Sequence, residues 1–142
     1  MTTTQDRLQT LDRLVGTWAI SGESTGTVRY EWMDGGKFLV QHVELTHDEE
    51  VTSGVEYIGV NKEDGLLRSH YFGSDGEILE YVYELEGDTL TIWFGDVGSP
   101  ARFVGAFDAS GRVNTGRWEW PGGGYESTMT KQEDDRGSRT PV

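Results

Sequence analysis

From Gly16 onward the chain alternates apolar and polar residues with a period of two, and nothing after that point repeats at helical spacing. Val28, Tyr30 and Trp32 alternate with Thr27, Arg29 and Glu31. Leu39, Val43 and Leu45 fall on the face opposite His42 and Glu44. Leu79, Tyr81, Tyr83 and Leu85 alternate with Glu80, Val82 and Glu84, and Leu90, Ile92 and Phe94 with Thr89, Thr91 and Trp93. Phe103 and Phe107, then Trp118 and Trp120, continue the pattern. A strand with one buried face needs this alternation. Turn signals separate the runs at even intervals: Asp34-Gly35-Gly36, Asp64-Gly65, Asp75-Gly76, Glu86-Gly87-Asp88, Ser110-Gly111 and Pro121-Gly122-Gly123-Gly124. Such pairs supply the positive φ that hairpins require.

The pattern predicts about ten strands, near 17–22, 26–33, 37–46, 52–60, 66–72, 77–85, 89–95, 101–107, 113–120 and 124–131. One helical segment precedes them, over 5–15, where Leu8, Leu11, Leu14 and Val15 recur among Arg7, Gln9, Asp12 and Arg13. With no second helix to make a parallel crossover, the strands form an antiparallel meander. A flat meander of that length leaves two exposed edges, and closure into an up-and-down β-barrel removes them. The expected fold is therefore all-β: a ten-stranded antiparallel barrel with the short N-terminal helix closing one end. An open two-sheet sandwich is the structural alternative. The barrel occupies 5–131 as a single domain, since 142 residues rarely divide. Residues 132–142 lack periodicity and read as a flexible C-terminal tail.

Charge and composition exclude several functions. A net charge of −13 argues against nucleic acid and against an anionic membrane surface. The absence of cysteine removes disulfides, thiolate metal sites and a cysteine nucleophile. The first residues, Met1-Thr2-Thr3-Thr4-Gln5-Asp6, have neither the basic start nor the apolar core of a secretory signal, and no apolar run approaches a membrane span. A cytoplasmic protein is the expectation.

Leu14-Val15-Gly16-Thr17-Trp18, a helix running into a strand, resembles the Gly-x-Trp opening of the lipocalins and the wider calycin group. The chain is also similar to a family of bacterial calycin-like barrels over about residues 8–131. The stretches that carry this are Tyr30-Glu31-Trp32-Met33-Asp34-Gly35-Gly36-Lys37-Phe38-Leu39-Val40-Gln41-His42, Leu67-Arg68-Ser69-His70-Tyr71-Phe72, Gly98-Ser99-Pro100-Ala101-Arg102-Phe103 and Gly116 to Glu126. The resemblance implies a barrel with an internal cavity, a Trp closing its floor beneath the helix, and a basic residue from a late strand, Arg117 or Lys131, across that Trp. It implies no particular activity. Nitrobindin-type barrels are similar in size and in the Gly-x-Trp start, but they take their haem ligand from a histidine near the carboxyl end. Residues 71–142 hold no histidine, so no haem or other cofactor is expected.

A ten-stranded barrel is too wide to be filled by Leu and Val, so it packs large rings or holds a guest. The candidate ligand-binding residues are the aromatic Trp32, Tyr57, Tyr83, Trp93 and Trp118 and the polar Gln41, His42, Arg68, His70 and Arg102. An inward arginine would favour a carboxylate or enolate guest. His42, Glu44 and His70 are the residue types of a two-histidine, one-carboxylate metal centre. Their outward placement is the preferred reading, and no metal is expected. His47, among Asp48, Glu49 and Glu50, reads as a solvated turn residue. Alternation alone leaves open which parity faces the interior. The leading expectation is non-covalent binding of a small apolar or aromatic metabolite. The alternatives are a cofactor-independent cyclase or isomerase acting on a polyketide-like molecule, with His42 or His70 as acid or base, and a homodimeric interaction module.

Overall fold

The computed structural model describes residues 4–133. After α1 (Thr4–Gln9) and a 3₁₀ segment (Thr10–Leu14) come ten strands: β1 (Gly16–Gly22), β2 (Ser24–Trp32), β3 (Phe38–His47), β4 (Glu50–Val60), β5 (Leu67–Gly73), β6 (Ile78–Glu86), β7 (Thr89–Phe94), β8 (Arg102–Phe107), β9 (Val113–Trp120) and β10 (Gly123–Lys131). Each expected strand is present with ends within two residues of the sequence-based bounds. The tail expected over 132–142 lies mostly outside the described residues. Gln132, which is described, continues the β1 pairing by donating its backbone N–H to the Thr17 carbonyl at 2.8 Å.

Every strand pairs antiparallel with its sequence neighbours, and β1 pairs with β10, Trp18 opposite Lys131, to close the barrel. The sandwich alternative is thereby excluded. The β3–β4 turn fixes the register of the next strands. Asp48 and Glu49 take φ of 50° and 70°, the pair of left-handed residues of a type I′ hairpin, and His47 lies opposite Glu50.

The helical segment differs from a uniform α-helix over 5–15. Leu8, Leu11 and Leu14 are spaced by three, the period of a 3₁₀ helix, and tightening after Gln9 aligns them on one line. All three are fully buried, in one cluster with Trp18, Leu39, Ile58, Leu67, Leu90 and Phe107. Polar contacts pin the segment to the same end of the barrel. Asp12 accepts a hydrogen bond from Trp32 Nε1 at 2.7 Å. Arg13 donates to the Gly87 carbonyl and to Asp88, each at 3.2 Å, while its guanidinium lies 4.0 Å from the centre of the Phe107 ring. Trp18 Nε1 donates to the Leu14 carbonyl at 2.8 Å, and Lys131 Nζ lies 5.1 Å from the Trp18 ring centre. Of the two basic residues expected near Trp18, Lys131 takes the position. Arg117 is instead half-exposed, beside Glu119 at 3.3 Å.

The helix thus seals the end where β1 begins, and the opposite end, formed by the β1–β2, β3–β4, β5–β6, β7–β8 and β9–β10 turns, has no element across it among the described residues. No helix among the described residues is long and apolar enough to cross a membrane.

Candidate functional site

Toward the end opposite the helix the apolar plug gives way to a cavity of about 360 Å³. Its wall is built by inward-facing residues of all ten strands. Ile20, Val28, Val43, Leu45, Leu79, Ile92, Phe103 and Met129 supply aliphatic and aromatic surface, and Tyr30, Tyr71, Tyr81, Tyr83, Tyr125, Trp118 and Trp120 supply rings with polar edges. The volume lies near the lower end of the range typical of small-molecule sites, about 300–1,000 Å³. At the mouth Trp120 packs edge-on against Tyr125, with ring centres 5.9 Å apart. His47 belongs to this rim rather than to a purely solvated turn. Its Nδ1 is 2.9 Å from Ser24 Oγ, and its ring is 5.5 Å from that of Tyr125.

Deeper in the wall sits one buried carboxylate. Glu56 is only 3% exposed. Its Oε2 accepts from Ser69 Oγ at 2.5 Å and its Oε1 from the Tyr83 hydroxyl at 2.8 Å. Gln41 and Tyr71 are its cross-strand neighbours, and Gln41 Nε2 donates to the Tyr30 hydroxyl. Burial pushes the Glu56 carboxyl up to about 6, against the smaller opposing effect of the Ser69 and Tyr83 hydrogen bonds. Burial, followed by the Glu56 charge, also raises Tyr30, Tyr81 and Tyr83. Gly54 makes room beside this group, since a Cβ there would stand 2.5 Å from the Tyr71 hydroxyl oxygen.

The expected site residues divide by strand parity. Gln41, Tyr83 and Trp118 line the cavity. Trp32 faces inward but at the helix-sealed end, where it packs on the core and binds Asp12. The other six face outward, because their strands turn Leu39, Val43, Ile58, Leu67, Tyr71, Ile92 and Phe103 inward. His42 lies 2.6 Å from Glu31 on the outer sheet face. Arg68 is held by Asp64 at 2.7 Å and Asp96 at 3.3 Å, and His70 lies 3.7 Å from Glu80. Tyr57, Arg68 and His70 line a shallow outer groove with Phe38 and Phe72. Trp93 donates to Glu84 at 2.8 Å and has the Arg102 guanidinium 5.4 Å from its ring. The inward arginine that would have selected an anionic guest is therefore absent from the cavity, and His42 and His70 are displaced as acid–base candidates. Among the described residues no group of three or more histidine, aspartate or glutamate side chains is placed to hold a metal ion.

Sequence reasoning missed Glu56. It stands between Val55 and Tyr57, so it reads locally as the polar member of an outward face. The signal lay in the hairpin: a two-residue turn at Asp48-Glu49 places Glu56 opposite Gln41, on the parity of Leu39 and Val43. Compared with models of protein families and with curated proteins, the chain matches none.

Proposed function

We propose that the protein binds a small apolar or aromatic molecule, without covalent chemistry, in the barrel cavity. The observation that carries this reading is a hollow of about 360 Å³, walled by rings and aliphatic side chains, crossed by no described element at one end and closed at the other by the buried Leu8, Leu11, Leu14 and Trp18. Burial of apolar guest surface at roughly 25 cal/mol per Å² supplies the affinity, and the few polar atoms of the wall supply orientation.

Intrinsic fluorescence tests it. Trp118 and Trp120 line the cavity, whereas Trp18 and Trp32 lie at the sealed end and Trp93 lies outside. Titration with neutral phenylnaphthylamine should quench tryptophan emission by transfer to the probe. Val43→Trp, which fills the hollow, should weaken binding at least about tenfold, or about 1.4 kcal/mol. Arg68→Ala and Trp93→Phe, on the outer face, should leave it unchanged. Equal binding by Val43→Trp and the native chain would place the probe elsewhere and refute the cavity role.

One observation favours a catalytic reading as the second choice. Glu56, a carboxyl that burial pushes up to about 6 beside the Tyr83 hydroxyl, is the acid–base group of the cavity that the histidines are not. Conversion of a bound guest to an isomer, abolished in Glu56→Gln while binding persists, would select it over simple binding.

A further inference from the structure

We infer that the guest is a small hydrophobic amine, held as its ammonium ion against the Glu56 carboxylate. This rests on the cavity-binding role proposed above and names the chemical class of its ligand. The wall of the hollow contains no lysine, arginine or histidine, His47 standing outside it at the rim against Ser24 and Tyr125, and its acidic members are Glu56, deep in the wall, and Glu77, toward the mouth. Arg13 and Lys131 belong to the other end of the barrel, where they lie against Phe107 and Trp18. Glu56 is thus a buried carboxylate with two hydroxyl donors and no cation in the surrounding wall. Burying an anion without a counter-ion is unfavourable, and an ammonium carried in by a guest relieves it. Each carboxylate oxygen accepts one hydrogen bond from the protein, which leaves lone-pair sites for a further donor. Tyr71, in the same wall, has a buried hydroxyl with no hydrogen-bond partner among the described residues. The aromatic wall favours an organic cation through its ring faces. The net charge of −13 draws cations toward the molecule and repels carboxylates.

The groups that face Glu56 from the strands packed on it are Tyr30 of β2, Gln41 of β3, Ser69 and Tyr71 of β5, and Tyr81 and Tyr83 of β6. Burial raises all four tyrosines, so Glu56 is the group in this set that changes charge between mildly acidic and neutral pH.

The test is calorimetric titration with three matched probes: naphthylmethylamine, naphthylmethanol and naphthoate. It is run at about pH 7.5 in about 0.5 M salt, so that exposed charges are screened. The amine should bind at least about tenfold tighter than the alcohol, and the carboxylate most weakly. Glu56→Gln should reduce the amine to the affinity of the alcohol and leave the alcohol unchanged. In the native protein, lowering the pH through about 6 should weaken the amine alone, and this arm decides the matter if Glu56→Gln does not fold. Equal affinities for amine and alcohol, or a carboxylate that binds as well as the amine, overturn the inference and leave the cavity role standing. Heat from none of the three overturns the cavity role and this inference with it.

Discussion

Trp18→Ala should destabilise the barrel by about 3–5 kcal/mol, the range for truncating a large buried aromatic side chain. Trp18 is 0% exposed and lies at the centre of the sealed end. Its removal opens a cavity among Leu8, Leu11, Leu14 and Phe107. It also deprives the Leu14 carbonyl of its indole donor and Lys131 of the ring it lies over. For a chain of this size the loss corresponds to a fall in Tm of roughly 10 °C or more, read by thermal and urea unfolding. Trp18→Phe keeps most of the ring volume and should lose a smaller part, nearer the about 1 kcal/mol of one hydrogen bond. A loss below about 1 kcal/mol in Trp18→Ala would show that the helix is sealed by something other than this residue.

Glu56 should make the fold less stable at neutral pH than in mild acid. Its carboxyl has an ordinary value of 4.5 and is pushed up to about 6 in the folded state, so the native barrel binds the proton more tightly than the unfolded chain does. Its stabilising contribution is complete below about pH 4.5 and is lost as the pH rises through about 6. A shift of this size amounts to about 2 kcal/mol. Glu56→Gln stays neutral throughout and should therefore be more stable than the native chain at neutral pH. The difference in unfolding free energy between the two should shrink by about 2 kcal/mol on acidification. Taking the difference removes the effect of the other carboxylates, which titrate in both proteins. A difference that stays flat with pH would mean that Glu56 is not desolvated in solution.

The architecture was legible because two independent signals agree at most strands. Alternation places the apolar face, as at Leu79-Tyr81-Tyr83-Leu85, and glycine or Asp-Gly pairs mark where each run must stop. The closed end was legible as well, since the leucines of the helical segment have to be buried on something, and Trp18 follows them. The polar side of the site was not. Arg68, His70, His42 and Arg102 draw attention by chemistry, but each occupies the parity opposite its strand's apolar set. They remain at the surface, where Asp64, Asp96, Glu80, Glu31 and Trp93 lie against them. Glu56 lies on a strand whose apolar residues fall on both parities: Val51, Val55 and Tyr57 on one, Ile58 and Val60 on the other. Local alternation cannot orient such a strand. Only counting through the Asp48-Glu49 turn to β3 does so, and that count depends on the turn being two residues long rather than three or four.

Nine of the ten strand pairings join consecutive runs of sequence, and the tenth, β1 with β10, joins residues more than a hundred positions apart. While the chain is being synthesised, each new hairpin can form as soon as it emerges, yet β1 waits with a bare row of amide and carbonyl groups until the last strand is made. The finished molecule has no open seam, whereas every nascent version of it has two. Edges of that kind invite pairing with other chains. The last strand therefore does more than complete a wall: its arrival ends the period in which one copy of this protein can be mistaken for part of another.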